Sequence, residues 1–418
     1  MNAFYTTAAD LAAGKKIPAE YDPSVHLIYS SPATLAYNSP GAIGFGVKRA
    51  ALTIPESVML LIAPASCGRN STILSAEEHY RDRMFYLLMN ETDLVTSRHL
   101  RKITQAVKEI DELCHPKVVI LCITCVDALL ATDLESICEK TAQETGLILV
   151  PSTMYALERE GRKPPMVQVH DTVFSLLKRK PVDPHAVNLL GWFSPIDPES
   201  DLFPLLQKAG LTKIRQAAEM KTLDAYQKMG EANFNLILDP EAAYAGEQLY
   251  QRLGMPYLEI PRVYAPDRIH HVYQLLAKAV GITIDDDEWY AKGKRKQAEL
   301  PGGRRIVIGE MCNADPFELA AFLAEQGYVT PEIFSNVISR NLPTIKRLAK
   351  LSPETKVYTG ISPSMINFQA DAHPDLTIGK DAGQWYPNVP CVEWNSEKQP
   401  FGYDGFIKLA DRIKEVSA

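Results

Sequence analysis

Short runs of apolar, largely β-branched residues recur along this chain, and each is followed by a loop and then by a helical pattern. The runs are apolar at successive positions, which is typical of parallel strands whose two faces are both covered by helices. The clearest of them cover residues 58–63, 117–122, 147–150, 186–192, 234–238 and 305–309. The chain is therefore predicted to be an α/β protein with mainly parallel sheets.

Two charged segments that contain proline or glycine, residues 179–184 and 293–303, divide these runs into three groups. A chain of 418 residues also exceeds what one hydrophobic core usually supports. We therefore predict three Rossmann-like domains, formed by residues 1–180, 181–300 and 301–418.

The composition excludes several classes of protein. A formal net charge of -7 does not give the basic surface that nucleic-acid binding requires. All apolar runs fall short of the ~20 residues that a membrane-spanning helix needs, and the N-terminal residues lack the pattern of a signal peptide. We expect a cytoplasmic protein without nucleic-acid or membrane partners. Its seven cysteines are then thiols unless a metal recruits them.

Three cysteines follow predicted strands, at the edge where open parallel sheets bind ligands. Cys67 follows the run 58–63, Cys125 follows 117–122 and Cys312 follows 305–309. Thiolates are suitable ligands for iron-sulfur clusters and for zinc, and Gly68 would let the backbone beside Cys67 approach a bulky cluster. Because the spacing of Cys67 and Cys125 matches no compact metal motif, buried unreactive cysteines remain the alternative.

Other motifs give weaker signals. Cys122 and Cys125 form a Cys-x-x-Cys, but Cys122 lies inside an apolar run, which favours core packing over ligation. Cys114 and Cys138 lie on helical patterns and are predicted to be inert. The chain contains neither the Gly-x-x-x-x-Gly-Lys-Ser/Thr loop nor the Gly-x-Gly-x-x-Gly turn, so we do not expect it to hydrolyse a nucleotide itself.

Four segments, in the right order, resemble nitrogenase component 1 subunits. Residues 60–68, Leu-Leu-Ile-Ala-Pro-Ala-Ser-Cys-Gly, resemble their His-Gly-Pro-x-Gly-Cys loop, and residues 123–135, which begin Ile-Thr-Cys-Val-Asp, resemble their second cluster-ligand loop. Gly-Met-Pro-Tyr at 254–257 is similar to a Gly-Ile-Pro segment of the middle domain, and Pro-Phe-Gly-Tyr-Asp-Gly-Phe at 400–406 to a C-terminal Gly-Phe-Asp-Gly-Phe. The chain is identified by these segments as a member of the nitrogenase component 1 family.

This resemblance implies three Rossmann-like domains around a central cleft and an iron-sulfur cluster at a subunit interface. The partners would be a homologous or identical second subunit and a separate ATP-hydrolysing iron protein. Cys67 and Cys125 match the cluster ligands. Residues 31–46 lack the upstream cysteine of nitrogenase. The resemblance therefore implies a smaller 4Fe-4S cluster, with four thiolates from two like subunits.

The sequence departs from nitrogenase at the positions that anchor the catalytic cofactor. The position resembling the cysteine anchor falls near Asp239, and the one resembling the histidine anchor falls near Val392. Two other cysteines are candidates in this region. The resemblance implies that the loop containing Cys312 lines the active cavity, and Cys391 is one residue before Val392. They are candidates for binding a second metallocluster or a metal-containing substrate, and the alternative is that they only pack.

Three functions are compatible with these features. The main expectation is the catalytic-component subunit of a nitrogenase-like reductase, an iron-sulfur oxidoreductase that passes low-potential electrons through the interface cluster to a bound substrate. Asp239, His270 and Glu393 are candidate proton donors for it. The first alternative is a cluster-assembly scaffold, which would use the same cluster cysteines. The second is a non-redox α/β ligand-binding protein whose cysteines are incidental.

Overall fold

The computed structural model describes residues 2–22, 50–65, 82–154, 163 and 165–417. Their strands form three sheets, ordered β3-β2-β4-β5, β7-β6-β8-β9 and β1-β12-β11-β10-β13-β14. The strands are β1 Tyr5–Thr7, β2 Ser57–Pro64, β3 Met84–Met89, β4 Val118–Thr124, β5 Ile148–Met154, β6 Asp183–Leu190, β7 Lys213–Arg215, β8 Ala232–Ile237, β9 Tyr257–Glu259, β10 Ile306–Gly309, β11 Glu332–Phe334, β12 Lys356–Tyr358, β13 Leu376–Ile378 and β14 Cys391–Val392.

Helices connect and cover these strands. They are α1 Ala8–Ala13, α2 Glu91–Thr96, α3 Arg98–Cys114, α4 Cys125–Leu129, α5 Leu134–Thr145, α6 Pro165–Phe174, α7 Leu202–Lys208, α8 Leu223–Gln227, α9 Ala243–Leu253, α10 Pro266–Val280, α11 Asp287–Ala298, α12 Pro316–Glu325, α13 Leu342–Leu351, α14 Lys380–Trp385 and α15 Gly402–Ser417. The pairing is parallel throughout, except that β1 is antiparallel to β12. The predicted α/β fold with mainly parallel sheets is confirmed.

The chain divides into two compact units. One unit takes its described residues from 43–195 and 211–259 and contains the first two sheets. The other takes them from 1–42, 196–210 and 260–418 and contains the third sheet. The division into domains 1–180, 181–300 and 301–418 stays a prediction.

The core of the first sheet is apolar on both faces. Every residue of β4 is buried, and β2 is buried up to its last residue, Pro64. Successive residues alternate between two clusters, so that Leu61 and Cys122 lie in one cluster and Leu60 and Ile123 in the other. Cys122 is therefore a core residue, as its place in an apolar run predicted.

The third sheet begins with the N-terminal residues of the chain. Tyr5 is paired with Tyr358 and Thr7 with Lys356 in the antiparallel β1–β12 ladder. The hydroxyl of Tyr21 donates to the carbonyl oxygen of Val357 at 2.8 Å, which fixes the segment after α1 on the same strand. Residues predicted for the first domain thus complete a sheet whose other strands follow residue 305.

A buried carboxylate holds the beginning of α15. Asp201 is fully buried and accepts hydrogen bonds from the hydroxyl of Tyr273 at 2.7 Å and from the backbone N–H of Asp404 at 2.9 Å. A Cβ atom on Gly402, whose φ is +69°, would lie 2.5 Å from the Asp201 carboxylate. The Pro-Phe-Gly-Tyr-Asp-Gly-Phe segment therefore needs its first glycine so that the carboxylate can reach the N-terminal N–H groups of the helix.

No helix among the described residues combines the length and the apolar character needed to cross a membrane.

We predict that Asp201→Asn flattens the dependence of stability on pH between about pH 4 and pH 6. Burial raises the pKa of Asp201 from 3.8 to about 6, so across this window the folded chain binds a proton that the unfolded chain has released. The free energy of unfolding of the wild type should therefore fall by up to about 2 to 3 kcal/mol, relative to the variant, as the pH rises. Urea unfolding at several pH values measures this.

Asp133→Asn is the matched control, because hydrogen bonds from Ser136 lower the pKa of this exposed carboxyl. Its contribution to stability is present above the ordinary pKa of aspartate and is lost as the pH falls, which is the opposite sign. If Asp201→Asn and wild type keep a constant difference from pH 4 to pH 6, the buried carboxyl does not act in this way.

Candidate functional site

The carboxyl ends of β2, β3 and β4 lie at one edge of the first sheet, because the three strands are parallel. Ile62 is level with Ile123 in the pairing of β2 with β4. Cys125 follows β4 directly and is the first residue of α4. Cys67 and Gly68, three and four residues after the end of β2 in the sequence, lie outside the described residues. The meeting of Cys67 with Cys125 therefore stays a prediction.

Two buried hydroxyl groups lie on neighbouring strands near this edge: Thr124 directly precedes Cys125, and Ser152 is level with Cys122 in the pairing of β4 with β5. Thr124 is 1% exposed and Ser152 is 2% exposed, and neither hydroxyl oxygen has a hydrogen-bond partner among the described residues. A buried O–H group without an acceptor costs free energy. The sulfurs of an iron-sulfur cluster accept hydrogen bonds, and thiolates are its usual ligands. The half-buried Cys125 thiol therefore lies in surroundings that fit such a cluster.

A histidine and an aspartate that no sequence motif marks are fully buried on the helices next to Cys125: His99 lies on α3 and Asp127 on α4. His99 Nε2 lies 3.0 Å from Asp127 Oδ1, and both side chains are fully buried. His99 Nδ1 lies 3.1 Å from the backbone oxygen of Asp93. His99 shares the buried face of α3 with Ile103 and Val107. A histidine at an apolar position of a helical pattern is the signal that could have revealed it.

Asp93 connects this pair to the surface. Its carboxylate accepts from Arg98 Nε at 2.8 Å and from Lys102 Nζ at 3.0 Å, and these hydrogen bonds hold its pKa at about 2. Together with Asn90, Asp93 also forms a capping box at the start of α2. The beginning of α2, the beginning of α3 and α4 are thus joined by one set of polar contacts.

Cys312 and Cys391 both belong to the third sheet or its loops: Cys312 lies three residues after the end of β10, and Cys391 is the first residue of β14. Cys312 is 1% exposed and its Sγ donates to the backbone oxygen of Gly309 at 3.3 Å. Cys391 is half-buried and its Sγ donates to the backbone oxygen of Gly379 at 3.5 Å. Burial raises the pKa of both thiols. In this arrangement both are protonated thiols, which favours the packing interpretation, and their part in binding a metal stays a prediction.

The described residues contain no group of three or more histidine, cysteine, aspartate and glutamate side chains placed to hold a metal ion.

Asp381 fixes the loop that carries Cys312. Its carboxylate accepts from the backbone N–H of Glu310 at 3.0 Å and of Met311 at 3.1 Å. A Cβ atom on Gly309 would lie 1.9 Å from this carboxylate, so the approach requires glycine there. Burial raises the pKa of Asp381 to about 6, and burial together with the charge of Asp381 raises that of Glu310 to about 7. This pair of carboxyl groups can hold a proton near neutral pH.

The loop continues into Asn313, which forms hydrogen bonds through both its backbone and its side chain. Asn313 donates from its backbone N–H to the oxygen of Trp394 at 2.7 Å and from Nδ2 to Gln399 at 3.0 Å. Its backbone oxygen accepts from the hydroxyl of Tyr264 at 3.2 Å. A polar pocket of about 300 Å³ borders Asn313 and Trp394. Among its lining side chains, Lys408 is paired with Asp197 at 2.8 Å.

The three candidate proton donors occupy different settings. Asp239 Oδ1 accepts from the backbone N–H of Glu241 at 2.9 Å and caps a short 3₁₀ turn. His270 Nδ1 lies 3.0 Å from the buried Asp286, and Glu393 is exposed. Val392, at the position resembling the histidine anchor of nitrogenase, is a buried residue of β14. A role for these groups in proton transfer stays a prediction.

The comparisons with known proteins agree with this fold and these segments. The sequence model of the family described as nitrogenase component 1 type oxidoreductase matches residues 44–417. The chain belongs to this family, so the predicted family is confirmed. A solved structure titled "Nitrogenase Cp1 at pH 6.5" superimposes with a TM-score of 0.74 at 16% sequence identity, and the match covers 94% of each chain.

Two relatives are named nitrogenase iron-molybdenum cofactor biosynthesis protein NifE. The one from Mesorhizobium japonicum is 28% identical over 411 residues, which cover 92% of this chain and 82% of the relative. The one from Rhizobium meliloti is 29% identical over 403 residues, which cover 88% of this chain and 83% of the relative. Of the functions left open by the sequence, these relatives favour the assembly scaffold over the catalytic subunit.

We predict that Asp381→Ala loosens the loop that carries Cys312. The change leaves the N–H groups of Glu310 and Met311 without an acceptor, which should lower the free energy of unfolding by about 2 to 4 kcal/mol. Alkylation of Cys312 in the folded protein should become faster, as measured by mass spectrometry. Asp381→Asn keeps an acceptor oxygen for one of the two N–H groups, so its loss of stability should be smaller than that of Asp381→Ala. Equal losses in the two variants would contradict a role for these hydrogen bonds.

Proposed function

We propose that this protein is an assembly scaffold that holds an iron-sulfur precursor of a larger metallocofactor and then releases it. The observation that carries the proposal is the similarity, over about nine tenths of the chain, to two proteins named for cofactor biosynthesis. The protein would act in the cytoplasm, where reducing conditions keep cysteines available as metal ligands.

The two anchor positions support a scaffold rather than a catalyst. The side chain of Val392 is a buried hydrocarbon and cannot coordinate a metal. Asp239, at the other position, has its carboxylate engaged in capping a 3₁₀ turn. A catalyst must retain its cofactor through every turnover, whereas a scaffold must give its cargo up. The loss of both nitrogenase anchors therefore suits the scaffold.

Cys125 would hold the precursor together with Cys67, and a homologous or identical second subunit would supply the remaining thiolates. When bound, a 4Fe-4S cluster stores and passes single electrons. The hydroxyl of Thr124, which lies buried directly before Cys125, would donate a hydrogen bond toward it. A separate ATP-hydrolysing iron protein would supply electrons for cluster conversion.

The second candidate function is the nitrogenase-like reductase itself. The observation that favours it is the Glu310–Asp381 pair, because burial and mutual repulsion raise the pKa of Glu310 to about 7. A carboxyl group with such a pKa can deliver a proton at neutral pH, as a reductase requires.

We predict that the protein purified anaerobically contains iron and sulfide, and that Cys125→Ala weakens iron binding at least about tenfold because a thiolate ligand is lost. Iron and sulfide quantification with electron paramagnetic resonance measures this. Cys114→Ala is the matched control, since Cys114 is an exposed cysteine on α3 and should not matter. Colourless, iron-free wild-type protein would contradict the proposal and favour the non-redox ligand-binding alternative.

A second measurement separates the scaffold from the reductase. The loaded protein is mixed anaerobically with a cofactor-free component 1 catalytic protein, and iron is then quantified in each after separation. A scaffold transfers its iron to the acceptor. A reductase keeps its iron and, with the iron protein and ATP, consumes electrons over many turnovers, and that result would overturn the scaffold proposal.

A further inference from the structure

The contact between His99 and Asp127 is buried more completely than an ordinary ion pair. Both side chains are fully buried, and the Nε2–Oδ1 distance is 3.0 Å. The hydroxyl of Thr132 also donates to the same oxygen at 3.2 Å. The other oxygen, Oδ2, has no hydrogen-bond partner among the described residues. Within the part of the chain that the structure describes, the carboxylate is therefore held through Oδ1, by the imidazole at 3.0 Å and by the Thr132 hydroxyl at 3.2 Å.

Both ring nitrogens of His99 lie within hydrogen-bond distance of an oxygen atom. Nδ1 faces a backbone oxygen, that of Asp93, at 3.1 Å, so Nδ1 carries a hydrogen. Nε2 lies 3.0 Å from Asp127 Oδ1. Both ring nitrogens are thus engaged, one with the beginning of α2 and the other with α4, which leaves the ring a single orientation.

Asp127 lies two residues after Cys125, within the first turn of α4. That helix has only five residues, so its own hydrogen bonds cannot fix its direction. The side chain of Asp127 reaches back to α3, a helix of 17 residues whose buried face packs on the first sheet. The contact between Asp127 and His99 therefore ties the helix that begins at Cys125 to the longer helix α3.

We propose that His99 is a positioning residue for Cys125. Through Asp127 it fixes the first turn of α4, so that the thiol of Cys125 stays at the carboxyl edge of the sheet in the geometry that a cluster requires. This inference rests on the proposed function, because only a bound cluster gives the position of Cys125 a role. The positioning itself can be measured in the chain without a cluster. Outer contacts of this kind orient the groups that ligate a metal.

The test compares His99→Leu, which removes both hydrogen bonds, with His99→Gln, whose amide nitrogen can still donate to Asp127. The first measurement is the rate at which iodoacetamide alkylates Cys125 in the folded, iron-free protein, followed by mass spectrometry. Cys391, a half-buried cysteine in the other compact unit, is the internal reference. Circular dichroism confirms that each variant is folded.

The expected result is a Cys125 rate about tenfold higher in His99→Leu and near the wild-type value in His99→Gln, with the Cys391 rate unchanged, because the lost hydrogen bonds favour local opening of α4. A role in general stability alone would lower the melting temperature of His99→Leu and leave the ratio of the two rates unchanged, and that outcome overturns the proposal. If His99→Leu does not fold, Asp127→Ala, which removes the same contact from the other side, replaces it, with the Cys125 rate again expected to rise.

Iron binding separates this inference from the proposed function. In anaerobic reconstitution, His99→Leu should bind iron about 10- to 100-fold more weakly than wild type, and His99→Gln should bind it nearly as well as wild type. If wild type binds no iron but the Cys125 rate still rises in His99→Leu, the proposed function fails and the positioning role stands. If wild type binds iron and His99→Leu alters neither the Cys125 rate nor the paramagnetic spectrum, only the positioning role fails.

Discussion

The parallel pairing of β2 with β4 is the contact on which the candidate site depends. Both strands are buried along almost their whole length, and each leucine or isoleucine fully removed from water contributes about 1.5 to 3 kcal/mol. The pairing places Leu60 level with Leu121 and Ile62 level with Ile123, so each face of the sheet is filled by residues from both strands. Because the strands run in the same direction, Cys125 and the chain leading to Cys67 leave the sheet at the same edge. A rigid sheet thus brings together two segments distant in the sequence.

Buried carboxylates then fix the segments that leave the sheets. Asp201 holds the backbone at the start of α15, and Asp381 holds the loop after β10. In both cases the desolvation of the carboxyl group raises its pKa to about 6, and hydrogen bonds from backbone N–H groups offset part of that cost. In both cases a neighbouring glycine, Gly402 or Gly309, leaves the room for the close approach. Rigidity at these points costs some stability near neutral pH and gives the loops a single conformation.

The sequence predicted those strands and buried residues that depend only on the pattern of one short segment. The apolar runs at 58–63 and 117–122 correspond to β2 and β4, and the burial of Cys122 followed from its place in the second run. The pairing of Tyr5 with Tyr358 could not be predicted, because no local pattern records a contact between residues so far apart. His99 could have been found on the apolar face of α3. Its partner Asp127 could not, since the contact depends on the direction in which α4 leaves β4.

The protonation of the cysteines bears directly on the choice between scaffold and catalyst. Metal binding requires a thiolate, and burial in the third sheet keeps Cys312 and Cys391 in the thiol form with their protons directed at backbone oxygens. A cofactor that stays in place through many turnovers needs ligands that are already prepared to bind it. Cys125 is half-buried and directly follows Thr124, whose buried hydroxyl has no hydrogen-bond partner among the described residues. In the proposed scaffold, a precursor bound only at this edge of the first sheet would be easier to release than one held by ligands from several sheets.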